Sequence, residues 1–371
     1  VIGDLIASLR GQTYPQGLLS IFVLADNCTD DTAMVARVAG ANVYERFNQV
    51  RVGKGYALQE LLEHLEQDYP QGFDGYFVFD ADNILAPNYV EAMNRTFSDG
   101  HDIVTSFRNS KNYGDNWISA GYALWFLRES RYLNHARFLL GTSCAVSGTG
   151  FLFSRRVLEE TGPWPFHLLT EDIQFSVDQV TRGRKIAFCP EAVLYDEQPT
   201  TFRQSWNQRL RWSKGYLQVF RGYGAKLLRG AARGSFSCYD MAAAIMPAFV
   251  LSATAIVCNV TAAILGAVHG EDLTIALWSV EYVSDSVCAG GHHHRHRVEA
   301  HPYQGGEEGP VRLHLPAVYV YLYSHLLCGA VQQGGVEAHR APGQRRVPAG
   351  PGPGGAAALL TGSLPPVQSE K

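Results

Sequence analysis

Two uninterrupted apolar runs, each ending on an aspartate, constrain this chain more than any other feature. Ser20-Ile21-Phe22-Val23-Leu24-Ala25 runs into Asp26-Asn27, and Gly75-Tyr76-Phe77-Val78-Phe79 runs into Asp80-Ala81-Asp82. A run that is apolar on both faces and closed by turn-forming residues suits a strand covered on both sides, as in a parallel sheet. Helical patterns lie between such runs. Asp30-Asp31-Thr32 can cap a helix over 33–39, and Asn42-Val43-Tyr44 reads as a short strand. Gly53-Lys54-Gly55 opens a helix with Ala57, Leu58, Leu61, Leu62 and Leu65 on one face. Pro87 starts a helix over 89–97, and 103–107 forms a third strand. This alternation predicts a doubly wound α/β sheet over residues 1–225. Ligands of such sheets sit beyond the carboxyl ends of the strands, where Asp26, Asp80 and Asp82 stand.

The rest of the 371-residue chain is unlike that domain. Residues 241–270 contain no Asp, Glu, Lys or Arg. As a helix, 241–268 would span about 42 Å, more than a bilayer core of about 30 Å, so this run reads as a transmembrane helix. A buried core helix is the competing reading. Lys226, Arg229 and Arg233 precede the run and Glu271 and Asp272 follow it, which sets residues 1–225 on the cytoplasmic side of the cell membrane. Residues 291–371 hold 8 of the 13 His and 9 of the 17 Pro, and lack Asp, Asn, Phe, Ile, Met and Trp. That composition cannot supply an ordinary core, so the stretch reads as a low-complexity tail, disordered or translated out of frame. The chain begins at Val1 inside a helical pattern, and the sheet is expected to lack its first strand. Seven scattered cysteines without a C-x-x-C pair fit a reducing compartment. A net charge of −4 gives no footprint for nucleic acid.

Several patches have chemical potential. Asp80 and Asp82, if extended, face one way and offer the hard oxygen ligands that Mg²⁺ or Mn²⁺ prefers; the alternative is an Asp-rich turn. In Thr170-Glu171-Asp172, Thr170 can cap the helix over 173–180 while its acids favour the helix dipole. A carboxylate there can also deprotonate a hydroxyl. Gln208-Arg209-Leu210-Arg211-Trp212 lies in an amphipathic helix over 201–228, with Trp206, Leu210, Leu217 and Phe220 as its apolar side. That helix suits a membrane interface, and its arginines also suit a diphosphate. Ser147-Gly148-Thr149-Gly150 is a tight turn, structural or substrate-facing. The Lys54 segment lacks the residues of a phosphate-binding P-loop.

In order, Leu24-Ala25-Asp26-Asn27-Cys28-Thr29-Asp30-Asp31-Thr32, Gly53-Lys54-Gly55-Tyr56-Ala57-Leu58, Asp80-Ala81-Asp82, Gly148-Thr149-Gly150, Thr170-Glu171-Asp172 and Gln208-Arg209-Leu210-Arg211-Trp212 resemble a family 2 inverting glycosyltransferase of GT-A fold. The resemblance is to the membrane-bound branch that makes cellulose, chitin, hyaluronan and poly-N-acetylglucosamine, and it covers about residues 1–270. It implies a UDP-sugar donor, a glycan or lipid acceptor, contact with membrane lipid, and Mg²⁺ or Mn²⁺. Asp26 would contact uracil, Lys54 the nucleotide, and Asp80 the ribose and diphosphate. Asp82, with Asp80, would hold the metal. Gly148, Thr149, Gly150 and Glu171 would line the acceptor site, and Asp172 would be the general base. Gln208, Arg209, Arg211 and Trp212 would hold the diphosphate and the acceptor end. Three other functions compete with a polysaccharide synthase. A glycolipid glycosyltransferase would add one sugar rather than many. A nucleotidyltransferase would leave Thr170-Glu171-Asp172 and the Gln208–Trp212 motif unexplained. An inactive sugar-nucleotide-binding subunit would not need all the acidic motifs.

Overall fold

The computed structural model describes residues 1–246, the helical positions 258, 261 and 264–266, and residues 356–362. Its elements are, in chain order, α1 (Ile2–Arg10), β1 (Leu19–Asp26), α2 (Thr32–Val38), β2 (Asn42–Arg46), α3 (Lys54–Asp68), β3 (Gly75–Asp80), β4 (Ile84–Leu85), α4 (Tyr89–Ser98) and β5 (Ile103–Ser110). There follow α5 (Trp117–Leu127), a π-helical segment (Arg128–Asn134), α6 (His135–Leu139), β6 (Phe151–Ser154), α7 (Arg155–Thr161) and α8 (Glu171–Thr181). The last are β7 (Ala187–Asp196), α9 (Phe202–Ala232), α10 (Phe236–Ile245) and β8 (Ala356–Gly362).

The eight strands form one sheet in the order β2-β1-β8-β3-β6-β5-β7-β4. Strands β2, β1, β3, β5 and β7 run one way, and β8, β6 and β4 run the other. The parallel strands anticipated from sequence are present. The sheet is nevertheless mixed: β8, β6 and β4 run antiparallel to the rest, and β4 and β6 are too short to stand out in the sequence as apolar runs. Successive side chains of each strand alternate between two layers, as pleating requires. Ile21, Val23, Phe77 and Phe79 join the core that holds Leu5 and Leu9 of α1 and Met93 of α4. Phe22, Leu24, Tyr76 and Val78 join the opposite core with Leu58, Leu61 and Leu62 of α3 and Phe175 of α8. The architecture is thus an α/β sandwich. The C-terminal residues of the five co-directional strands share one rim, which places Asp26, Asp80 and Asp196 along it.

Strand β8 falls inside 291–371. Its backbone pairs antiparallel with β1 on one side and β3 on the other, Leu360 standing opposite both Ile21 and Phe77. The rest of 291–371, and most of the apolar run 241–268, lie outside the described residues. Among the described residues no helix is long and apolar enough to cross a membrane.

Helix α9 is longer than its sequence pattern suggests, and it is turned differently. Thr201 and Gln204 form a reciprocal cap at its start. Its buried face is Ser205, Gly215, Val219, Gly224 and Leu227, while Trp206, Leu210 and Leu217 are only half-buried. Small residues win this face because the helix packs closely on its neighbour: a Cβ on Gly215 would fall 2.5 Å from Thr170 Oγ1.

Candidate active site

The rim is organised around the end of β3. The Asp80 N–H donates to Thr149 Oγ1 at 2.9 Å and to Asn83 Oδ1 at 3.1 Å. The strand stops there and Ala81-Asp82 turns, so the extended arrangement of the two acids does not hold. Asn83 and Thr149 reach back to the Asp80 N–H and take it out of any further strand ladder.

Thr149 belongs to the Gly148-Thr149-Gly150 turn, which is pinned from both sides. Gly150 N–H donates to Val78 O at 2.8 Å, and Gly150 O accepts from Ser106 Oγ at 2.7 Å. A Cβ at Gly150 would fall 1.8 Å from Leu194 Cδ2, and its φ is +66°, so only glycine fits. Thr149 is 3% exposed, and its hydroxyl bonds the Asp80 turn through Asn83. The side chain is framework for the acids rather than a surface for an acceptor.

Lys54, the first residue of α3, bridges this turn and the acids. Its Nζ donates to Asp80 Oδ1 at 2.5 Å and to Gly148 O at 2.6 Å. Helix α3 starts this close because residue 55 is glycine: a Cβ there would meet Phe166 O at 2.1 Å. Burial opposes the Lys54 ammonium, but the charges of Asp80, Glu171 and Asp172 outweigh it and hold its pKa above the usual value.

Glu171 and Asp172 enter from the first turn of α8. A Cβ at Gly148 would lie 3.7 Å from Asp172 Oδ2, so Asp172 and the turn are neighbours. Thr170 stands before the helix but makes no side-chain cap; its Oγ1 is buried against α9 without a hydrogen-bond partner among the described residues. The acids take over that role. Burial raises the Asp172 pKa, opposed by the N–H groups of Ile173 and Asp172 and by Lys54 and Arg211. Burial and then Asp172 push Glu171 up to about 7. Asp82 is pushed up to about 7 by burial, then by Asp196 and Asp80.

Four residues here were not anticipated from sequence. Arg108 of β5 donates Nε to Asp196 Oδ2 at 2.9 Å and Nη1 to Ser147 O at 2.8 Å, and lies 3.7 Å over the Phe126 ring. Asn83 Nδ2 donates to Asp196 Oδ1 at 3.0 Å. Glu129, in the π-helical segment, accepts from Ser147 Oγ; burial raises its pKa, opposed by that bond and by Arg108. Asp196 had a usable signal, since Ala192-Val193-Leu194-Tyr195 is another apolar run closed by Asp. Asn83, Arg108 and Glu129 had none.

The remaining candidates divide. Arg211 is close enough to Asp172 to oppose the rise of its pKa. Gln208 Oε1 is buried without a hydrogen-bond partner among the described residues. Arg209 lies 4.6 Å over Tyr122, and Trp212 meets Tyr122 and Phe126 edge-on at 5.9 and 6.2 Å, so both fasten α9 to α5. Asp26 stands on the same rim, but its Oδ1 is held by Arg46 Nη1 at 2.7 Å and Asn27 Nδ2 at 2.9 Å, and Arg46 also binds Glu60.

Among the described residues no three His, Cys, Asp or Glu side chains converge as a complete metal site. Asp80 and Asp82 still suit a hard divalent cation. They are oxygen donors, and the negative charge crowding Asp82 is what a cation would relieve.

A model of the family described as "Glycosyltransferase like family 2" matches residues 1–215. The "Probable glycosyltransferase YdaM" of Bacillus subtilis is 22% identical over 240 residues, 59% of this chain and 53% of that protein. A poly-beta-1,6-N-acetyl-D-glucosamine synthase of Staphylococcus epidermidis is 25% identical over 59% of this chain and 52% of its own length. A beta-monoglucosyldiacylglycerol synthase of a Nostoc species is 24% identical over 69% of this chain and 54% of its own length. The chain therefore spans about half the length of the curated relatives it matches. Among solved structures, the mannosyltransferase PcManGT of Pyrobaculum calidifontis, in complex with GDP-Man and Mn²⁺, superposes with a TM-score of 0.48 at 14% identity, covering 91% of this chain and 84% of that one.

Proposed function

The chain belongs to glycosyltransferase family 2, and from that premise we propose that it transfers a hexose or N-acetylhexosamine from a UDP-sugar to a glycan or lipid acceptor with inversion. One observation carries this reading: Lys54 joins Asp80 to the Gly148 turn, and that turn abuts Asp172, so donor-side and acceptor-side acids share one rim. Asp80 and Asp82 would hold Mg²⁺ or Mn²⁺, which when bound would neutralise charge on the diphosphate.

The chain's own residues do the rest. The Asp172 carboxylate takes the proton of the acceptor hydroxyl as its oxygen bonds the anomeric carbon. The bond from that carbon to the diphosphate oxygen breaks, and the electron pair leaves with UDP. One displacement from the opposite face inverts configuration, so a single base is enough. Helix N–H groups hold Asp172 in place, and with Lys54 and Arg211 they favour its ionised form against the burial that raises its pKa. Arg211, exposed on α9, would also meet the departing negative charge. Glu171 stands at the acceptor side.

Poly-N-acetylglucosamine and glucosyldiacylglycerol synthases match the chain at nearly equal identity, which supports a carbohydrate or a lipid alcohol as acceptor equally. The uncharged run 241–268, preceded by Lys226, Arg229 and Arg233, supports a place at the cell membrane with the catalytic domain facing the cytoplasm.

The test is UDP release, with product length, against a panel of UDP-sugars. Asp172→Asn is expected to cost about 10²- to 10⁴-fold in turnover while donor binding is kept. Unchanged turnover would remove Asp172 from the mechanism. Labelled polymer, or a single added sugar, decides the acceptor class.

A further inference from the structure

A second charged site lies at the far end of α8. A cavity of about 390 Å³ opens between the C-terminal ends of α8 and α9, and Asp178, Arg182, Lys226, Arg229 and Arg233 line it. Its lining residue nearest to Asp172 on α8 is Asp178, six residues on and about 9 Å along the helix axis. Asp178 is its one carboxylate, and Arg182 Nε takes it at 2.6 Å. Lys226, Arg229 and Arg233 have no ion-pair partner among the described residues. A helix C-terminus attracts a cation in its last turn, which accounts for one basic residue per helix but not for four around one cavity.

We propose that this cavity binds the phosphate of an anionic membrane lipid. Guanidinium forks match phosphate oxygens in pairs; those of Arg229 and Arg233 have no ion-pair partner among the described residues, and Arg182, whose Nε is on Asp178, adds the rest of its fork. The surroundings decide between a lipid and a soluble anion. Helix α10 lies directly on the cavity wall: a Cβ at Gly230 would fall 2.5 Å from Cys238 Sγ. Beside it Leu228, Phe236 and Tyr239 are 52%, 58% and 60% exposed, and the rings of Phe236 and Tyr239 lie 5.9 Å apart. The uncharged run 241–268 begins on the same helix. A soluble anion would leave these apolar groups in water. A lipid engages them with its acyl region while the cations hold its headgroup.

The test is co-sedimentation of the full chain with phosphatidylcholine vesicles, with and without phosphatidylglycerol. The apolar run contributes to both, so the ratio of the two partition coefficients isolates the headgroup. A basic residue near an anionic surface is worth about fivefold in partitioning. R182Q/R229Q/R233Q is therefore expected to lower the ratio about a hundredfold, and R229Q alone about fivefold. R37Q/R95Q/R156Q removes the same charge from exposed positions elsewhere and should barely change it. An unaltered ratio in the cavity variants, or an equal fall in the control, overturns the proposal. Calorimetric binding of millimolar inorganic phosphate to the wild type, absent from the triple variant and unmatched by any vesicle preference, reassigns the cavity to a soluble anion and overturns it too.

Discussion

Asp82 is the residue whose environment makes the sharpest demand. Its carboxyl is raised from 3.8 to about 7 by burial and by Asp196 and Asp80. A group whose pKa is raised on folding binds its proton more tightly in the native state. Its stabilising contribution is complete below the unfolded value of 3.8 and is lost as pH rises through about 7. A divalent cation replaces the proton, so its benefit grows as the proton leaves. Mn²⁺ or Mg²⁺ is therefore expected to raise the melting temperature more at pH 8 than at pH 5. At a hundredfold excess over its dissociation constant a cation that binds only the folded state adds about 2.7 kcal/mol. Asp82→Asn should abolish the difference between the two pH values. Equal shifts at both pH values in the wild type would take the cation away from this pair. Asp172 predicts a companion pH profile. Its pKa is raised, so the acid limb of kcat/KM should lie above the ordinary aspartate range. A limb near 4 would mean that some other group takes the proton.

Elements deliver these residues to one rim, and β5 and β7 do so through a single buried ion pair. Arg108 and Asp196 are 14% and 4% exposed, and through Asn83 and Ser147 they tie the Asp80 turn to the residue before Gly148. Arg108→Met leaves Asp196 buried without its cation, which should cost about 3–5 kcal/mol. The double variant R108M/D196N should recover part of that loss. Chemical denaturation checks both, and a wild-type midpoint in R108M would show that the pair carries no weight. This pair also marks how far sequence reading reaches. Asp80 and Asp172 are legible because strand ends and helix starts have local signatures: an apolar run that stops, an acid in a first turn. Arg108, Asn83 and Glu129 sit inside elements or turns whose composition is ordinary, and only tertiary packing gives them partners. The orientation of α9 departs from its sequence pattern for a similar reason. Its large apolar side chains suggest one face, but Gly215 is pressed against Thr170 at the start of α8 and Ser205 lies against Tyr122 of α5, so small residues take these contacts.

For the molecule as a whole, the sheet depends on a strand from the far end of the chain. β1 and β3 carry residues of both cores and end in Asp26 and Asp80, yet neither pairs with the other. Seven residues, Ala356–Gly362, stand between them and pair along both. The composition of 291–371 gave no reason to look for a strand there, because the segment's partners are more than 270 residues away in sequence. Backbone pairing needs no particular side chain, so a run such as Ala356-Ala357-Ala358-Leu359-Leu360 suffices. Removing residues 356–371 should therefore expose two strand edges in the middle of the sheet, where unpaired N–H and C=O groups are costly and prone to pair between molecules. Hydrogen exchange at Ile21–Ala25 and Phe77–Phe79 is the direct measurement. The truncated chain should lose protection at alternate residues of both segments and should aggregate as it warms. Protection equal to that of the full chain would mean that β1 and β3 find other partners when β8 is gone, and that the rim bearing Asp26 and Asp80 is assembled without it.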